Sequence, residues 1–190
     1  MSSWRVVALA GLVATAACVP KPAPPPSPSP ATTPANPVVG GVEMLPTRTL
    51  LANLAASREH GRFVAAARAA GLDGALGGTA AHTVFAPTDA AFAALPNGTL
   101  DALMNPRSRP ELQSVIGLHV LPRQLRRADI AAAGTSRYPT LNYGAVVARM
   151  EGGRILLTDT NNRRVAVTQA DVRSSNGIIH VIDAVLLPRL

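Results

Sequence analysis

Between Thr49 and His119 apolar residues recur at helical spacing, and beyond Tyr138 they alternate with polar ones as strands do. The hydroxyl of Thr49 can cap a first helix carrying Leu50, Leu51 and Leu54, and Gly61 interrupts the run. Phe63, Val64, Ala67 and Ala70 form a second stripe, closed by Gly71 and Leu72 as a glycine C-cap with its apolar contact. Thr83-Val84-Phe85-Ala86 reads as a short strand stopped at Pro87. Thr88 then caps a new turn, and Asp89 stands where a negative charge suits the helix dipole. Ala91, Phe92 and Leu95 make that turn's buried face before Pro96. Thr99 is expected to cap a short helix running to Met104. Ser108 and Glu111 have capping-box spacing ahead of a stripe of Leu112, Val115 and Ile116. His119 is next on that stripe and is expected as a hydrogen-bonded core residue rather than a ligand.

The later strands are predicted at Ala145–Glu151, Arg154–Leu157, Arg164–Thr168 and Gly177–Leu187, with Gly152-Gly153 as a two-residue hairpin turn. Helices first and strands after predict a compact α+β domain. The closing segment contains His180 and Asp183, a spacing that invites comparison with a catalytic pair. In a strand, residues three apart point to opposite faces. His180 would lie with Ile178 and Ile182, and Asp183 with Ile179, Val181 and Val185. Both rows are apolar, which predicts a strand buried on both faces and two polar residues bonded to neighbouring elements rather than to each other.

The N-terminus changes the picture of what can fold. Residues 1–17 read as a signal peptide, with Arg5 as a short positive region and Val6 to Ala17 as an apolar run too short to span a bilayer. Thr15-Ala16-Ala17-Cys18 resembles the lipobox of bacterial lipoproteins, so Cys18 is the expected lipid attachment site; a plain secretory signal is the alternative. Cys18 is the lone cysteine, which excludes an intrachain disulfide. Nine of the 17 prolines fall in residues 20–37. Residues 18–42 are therefore expected as a lipidated cysteine and a Pro-rich disordered linker; an extended stretch of 18 residues would reach roughly 55 Å. Residues 43–190 are left for a single folded domain, enough for one core.

The formal net charge is +7, and removing Arg5 and Lys21 leaves 16 arginines against 11 acidic residues. Aromatics make up only 3% of the chain, too few to favour base stacking, so no nucleic-acid partner is expected. The basic balance could instead hold an anionic glycan or lipid headgroup, or be a solvated surface. No Gly-x-Ser-x-Gly, His-Glu-x-x-His, phosphate loop or Cys-x-x-Cys occurs. Asp159-Thr160-Asn161-Asn162 begins like a calcium loop but lacks its glycine and closing glutamate. No catalytic residue, metal site or cofactor is expected.

Two long motifs together point to a family. Thr83-Val84-Phe85-Ala86-Pro87-Thr88-Asp89-Ala90-Ala91-Phe92 resembles the first signature of fasciclin-type (FAS1) domains. Asn176-Gly177 through Pro188, including His180 and Asp183, resembles the second, with Asp171-Val172 just upstream. Leu118-His119 stands in place of the family's Tyr-His motif; without the tyrosine, the integrin contact attributed to that motif is not carried over. The resemblance implies a strand wedge flanked by short helices and a role in adhesion or surface recognition through a protein or glycan partner. The expectation is an exported, membrane-tethered, monomeric binding module. An envelope protein that binds polyanions and an exported hydrolase are the alternatives.

Overall fold

The computed structural model of the chain describes residues 36–96, 98–142 and 144–188. The leader, Cys18 and most of the Pro-rich segment lie outside the described residues.

A small hairpin comes first, β1 (Val38–Val39) paired with β2 (Val42–Glu43). It falls within and just beyond the segment expected as linker, yet Val39 is buried with Met44 in the core. Helices α1 (Leu50–Ala56), α2 (Gly61–Ala69) and α3 (Asp73–Gly77) follow. The Thr49 hydroxyl accepts from the Ala52 amide at 3.3 Å, which fixes where α1 begins. At the end of α2, Leu72 N–H donates to Ala67 and Gly71 N–H to Arg68, the glycine-terminated cap that Gly71-Leu72 predicts.

Strand β3 (His82–Pro87) leads into α4 (Asp89–Ala93), where Thr88 accepts from the Ala91 amide at 3.2 Å. Helix α5 (Thr99–Met104) starts after Gly98, so Thr99 is its first helical residue and not its cap. A 3-10 turn at Pro106–Ser108 precedes α6 (Arg109–Leu118). Here the predicted capping box does not form: Ser108 makes no side-chain cap, and Asn105 caps the 3-10 turn instead by accepting from Arg107 N–H. The chain continues through β4 (Val120–Leu121), α7 (Arg127–Ala133), β5 (Ser136–Pro139), β6 (Ala145–Glu151), β7 (Arg154–Thr158), β8 (Arg164–Ser174) and β9 (Gly177–Ile182).

Seven of these strands form one sheet in the order β4-β3-β9-β8-β7-β6-β5, antiparallel except for the parallel pair β3 and β9. Gly152 and Gly153 both take left-handed φ values, 57° and 78°, as the tight β6–β7 turn requires. Strands β3 and β9 are buried along their whole length and divide the interior in two. On one side Val84, Ile179 and Val181 meet Leu54, Phe63 and Ile116 of the helices. On the other Phe85 and Ile182 meet Leu125, Ile130, Val146 and Leu157 of the wedge. Each such large side chain stabilises the fold by roughly 1.5–3 kcal/mol on burial.

Two strand bounds differ from the periodicity by several residues, and β3 and β7 by one. Strand β8 runs on to Ser174 because register shifts between Val167 and Val172 let it leave β7 and continue beside β9. Strand β9 stops at Ile182, so Asp183 is exposed and does not share an apolar row with Val181. Its backbone N–H still donates to Ala166 O, and its carboxylate accepts from Ala166 N–H at 3.0 Å, closing the end of the ladder.

Candidate functional site

The signature side chains meet at the β3–β9 centre, where most are spent on internal bonds. Asn176 is the densest node. Its Oδ1 accepts from Leu50 N–H at 2.7 Å, and its amide donates to Leu76 O at 2.9 Å and Gly78 O at 2.7 Å. One buried side chain thus ties the β8–β9 turn to the start of α1 and the end of α3. Gly177 beside it has no room for a side chain, since a Cβ there would lie 2.0 Å from the carbonyl oxygen of His82. Thr83 donates to Arg123 O at 2.7 Å and accepts from Leu125 N–H at 2.8 Å, anchoring the loop between β4 and α7. Asp89 accepts from Arg62 N–H at 2.8 Å; its charge therefore serves the first turn of α2 as well as its own helix. Phe92 is buried against the helical core.

Both motif histidines are buried, and each ring uses both nitrogens. His119 donates from Nδ1 to Val115 O at 2.7 Å and accepts at Nε2 from Leu186 N–H at 3.0 Å. Burial pushes it down to about 4. His180 donates from Nε2 to Leu125 O at 2.8 Å and accepts at Nδ1 from Asp171 N–H at 3.3 Å, and burial likewise lowers its pKa. Its ring stacks on Phe85, the residue opposite it in the parallel ladder. Asp171 takes a left-handed φ of 59° and accepts from Arg127 N–H at 2.8 Å, which fixes the start of α7. His180 and Asp183 are not hydrogen-bonded to one another: one faces the wedge core and the other solvent. Neutral histidines with both nitrogens engaged have nothing left with which to move a substrate proton.

Two further polar arrangements were not expected from the sequence. Ser57 Oγ and His60 Nδ1 lie 2.8 Å apart beneath the surface, with burial again lowering the histidine's pKa. In the loop with a calcium-like start, Asp159 accepts from Arg163 Nε at 2.9 Å and Nη2 at 2.7 Å, as well as from the amides of Asn161 and Arg163. A guanidinium occupies the carboxylate there. Among the described residues no three His, Cys, Asp or Glu side chains come together.

Charge is unevenly shared along the sequence. Residues 36–119 hold six arginines and six acidic residues; residues 120–190 hold ten arginines and five. Within the second set, a cleft of about 290 Å³ opens between β7 and β8, with Arg127, Arg154, Thr168 and Asp183 on its walls. Residues so distant in the chain give no local signal; only the β8 register shifts bring them together.

The comparisons agree with this geometry. The model of the fasciclin domain matches residues 58–188, and the chain belongs to that family. It is 33% identical to Protein sll1483 of Synechocystis sp., over 97% of this chain and 96% of that one. It is 30% identical to transforming growth factor-beta-induced protein ig-h3 of Sus scrofa, over 75% of this chain but only 20% of that protein. Among solved structures, a FAS1 domain pair from the insect cell adhesion molecule Fasciclin I superposes with a TM-score of 0.66 at 22% identity, covering 74% of this chain and 51% of that one. The likeness to that pair shows the fold.

Proposed function

We propose that the chain is an exported, non-catalytic binding or adhesion module, held to a membrane by lipid on Cys18 and set off from it by the Pro-rich stalk. The observation that carries the non-catalytic part is the use of the signature residues: Asn176, His119 and His180 direct their polar atoms at backbone groups of neighbouring elements. Recognition then falls to exposed loops and edges, where family members can differ without losing the scaffold. The adhesion part is supported by family membership and by a solved relative that is a cell adhesion molecule. The tether rests on the apolar leader, Thr15-Ala16-Ala17-Cys18 and the prolines after it. The domain would face the periplasm or the cell exterior.

The tether is tested by fractionation. Wild-type chain should sediment with membranes, and Cys18→Ala should be recovered in the soluble fraction; retention of the variant in membranes overturns the lipid anchor. One observation favours a second reading, an envelope protein that binds acidic polymer: the excess of arginine lies in residues 120–190.

A further inference from the structure

We infer that the cleft between β7 and β8 is a binding site for an acidic saccharide unit, with Arg127 and Arg154 taking its acid group and Asp183 its hydroxyls. The inference rests on the binding-module reading and assigns that module a surface.

The cleft follows from how the sheet is built. Strand β7 pairs with β8 only as far as Leu156 opposite Ala166. Arg154 and Ile155 run on past that last partner, while β8 turns through its register shifts to follow β9. The two strands splay, and the gap is lined by Arg154, Ala166, Thr168 and Asp183. Helix α7 spans one end, because Arg127 is fixed by Asp171 through its backbone and donates from its guanidinium to Gly153 O across the gap. A bonded guanidinium on a short helix is a pre-positioned donor and loses less freedom on binding than a solvated one.

The charges on the walls choose the ligand. Among the described residues the ion pairs are Arg149 with Glu151 and Arg163 with Asp159, so Arg127 and Arg154 face the cleft without a carboxylate partner. Asp183 spends Oδ1 on Ala166 N–H, and its other oxygen carries no hydrogen bond among the described residues. A bare anion would be attracted by the arginines and repelled by Asp183. A sugar ring with a carboxylate or sulfate satisfies both, pairing its acid with the guanidinium forks and donating hydroxyls to the carboxylate. A single-stranded nucleic acid is not favoured, since the aromatic side chains among the described residues, Phe63, Phe85, Phe92 and Tyr138, are all buried and offer no stacking platform. A membrane is not favoured either: among the described residues the exposed large apolar side chains are Val38 and Met104, neither of which lines the cleft.

Calorimetric titration of the full chain tests this, with an oligogalacturonate as the acidic saccharide, a neutral oligosaccharide of equal length, inorganic sulfate, and vesicles of anionic phospholipid. The acidic oligosaccharide should bind at low salt, more weakly at high salt, and at least tenfold more tightly than the neutral one. The double variant Arg127→Gln/Arg154→Gln should lose tenfold or more with its thermal midpoint kept. Arg62→Gln/Arg68→Gln, on the charge-balanced set of residues, should stay within twofold. Asp183→Asn should weaken the saccharide but not sulfate. Undiminished affinity in the double variant, equal binding of the neutral oligosaccharide, or binding of vesicles alone would overturn the assignment. If saccharide binding fails while cells displaying the chain still adhere, the cleft assignment falls and the binding-module reading stands.

Discussion

Residues 36–119 and residues 120–190 contribute to the same sheet and meet across the same two central strands, yet they answer differently to the question of what is left over. In the first set six arginines balance six acidic residues, and the signature polar groups there are spent on bonds within the fold. The second set contributes its own buried anchors, Asn176 and His180, but also holds the arginine excess and the splayed strands. The difference teaches where to look for function in a fold whose recognisable residues are structural. Recognisability belongs to the β3–β9 centre, where geometry tolerates few alternatives. Binding, on this account, belongs to the wedge, where a register shift opened the sheet.

Two perturbations press on this division from the buried side, the larger first. Asn176→Ala leaves the Leu50 N–H and the carbonyls of Leu76 and Gly78 without their partner. Groups stranded this way cost about 1–3 kcal/mol each, least for the half-buried Gly78 carbonyl, so the loss should be about 3 kcal/mol or more. Urea unfolding should show a large drop in midpoint at nearly unchanged slope. A loss below about 1 kcal/mol would mean that Asn176 is not the node its three bonds suggest.

The second perturbation is acid. His119 lies at about 4 in the folded chain against an ordinary 6.5, so the unfolded chain takes up the proton first as pH falls. Stability is intact above about pH 6.5 and declines toward pH 4, by about 3 kcal/mol from this residue at roughly 1.4 kcal/mol per pH unit. His180 is shifted in the same direction and adds to the decline. Replacing His119 with Gln should make the fall of stability between pH 6.5 and 4 shallower, whatever it does to stability at neutral pH. An unchanged slope would count against a neutral, buried His119.

Much of the scaffold was legible in the sequence because its signals are local. Thr49 and Thr88 cap where their position before an apolar run says they should, and Gly152-Gly153 turns the hairpin it spells. The spacing of His180 and Asp183 predicts opposite faces of one strand, whereas Asp183 lies beyond the end of β9. The misses are non-local. The β1–β2 hairpin has only two residues in each strand and adjoins a run of prolines, so no period could announce it. Ser108 lost its cap to a competing turn begun by Asn105. Asp183 is exposed because β9 ends at Ile182, short of the predicted Leu187, which its apolar neighbours conceal. The cleft needed β8 to change partners, an event set by the packing of three strands at once.

The most direct measurement of the division between scaffold and recognition surface is an amide-shift map of the isotopically labelled full chain during titration with the acidic oligosaccharide. The account predicts saturable changes at Arg127, Gly153–Ile155, Ala166–Ala170 and Asp183, with the helices of residues 50–118 unmoved. Changes centred instead on those helices, around Met104 and Arg109 for instance, would contradict it.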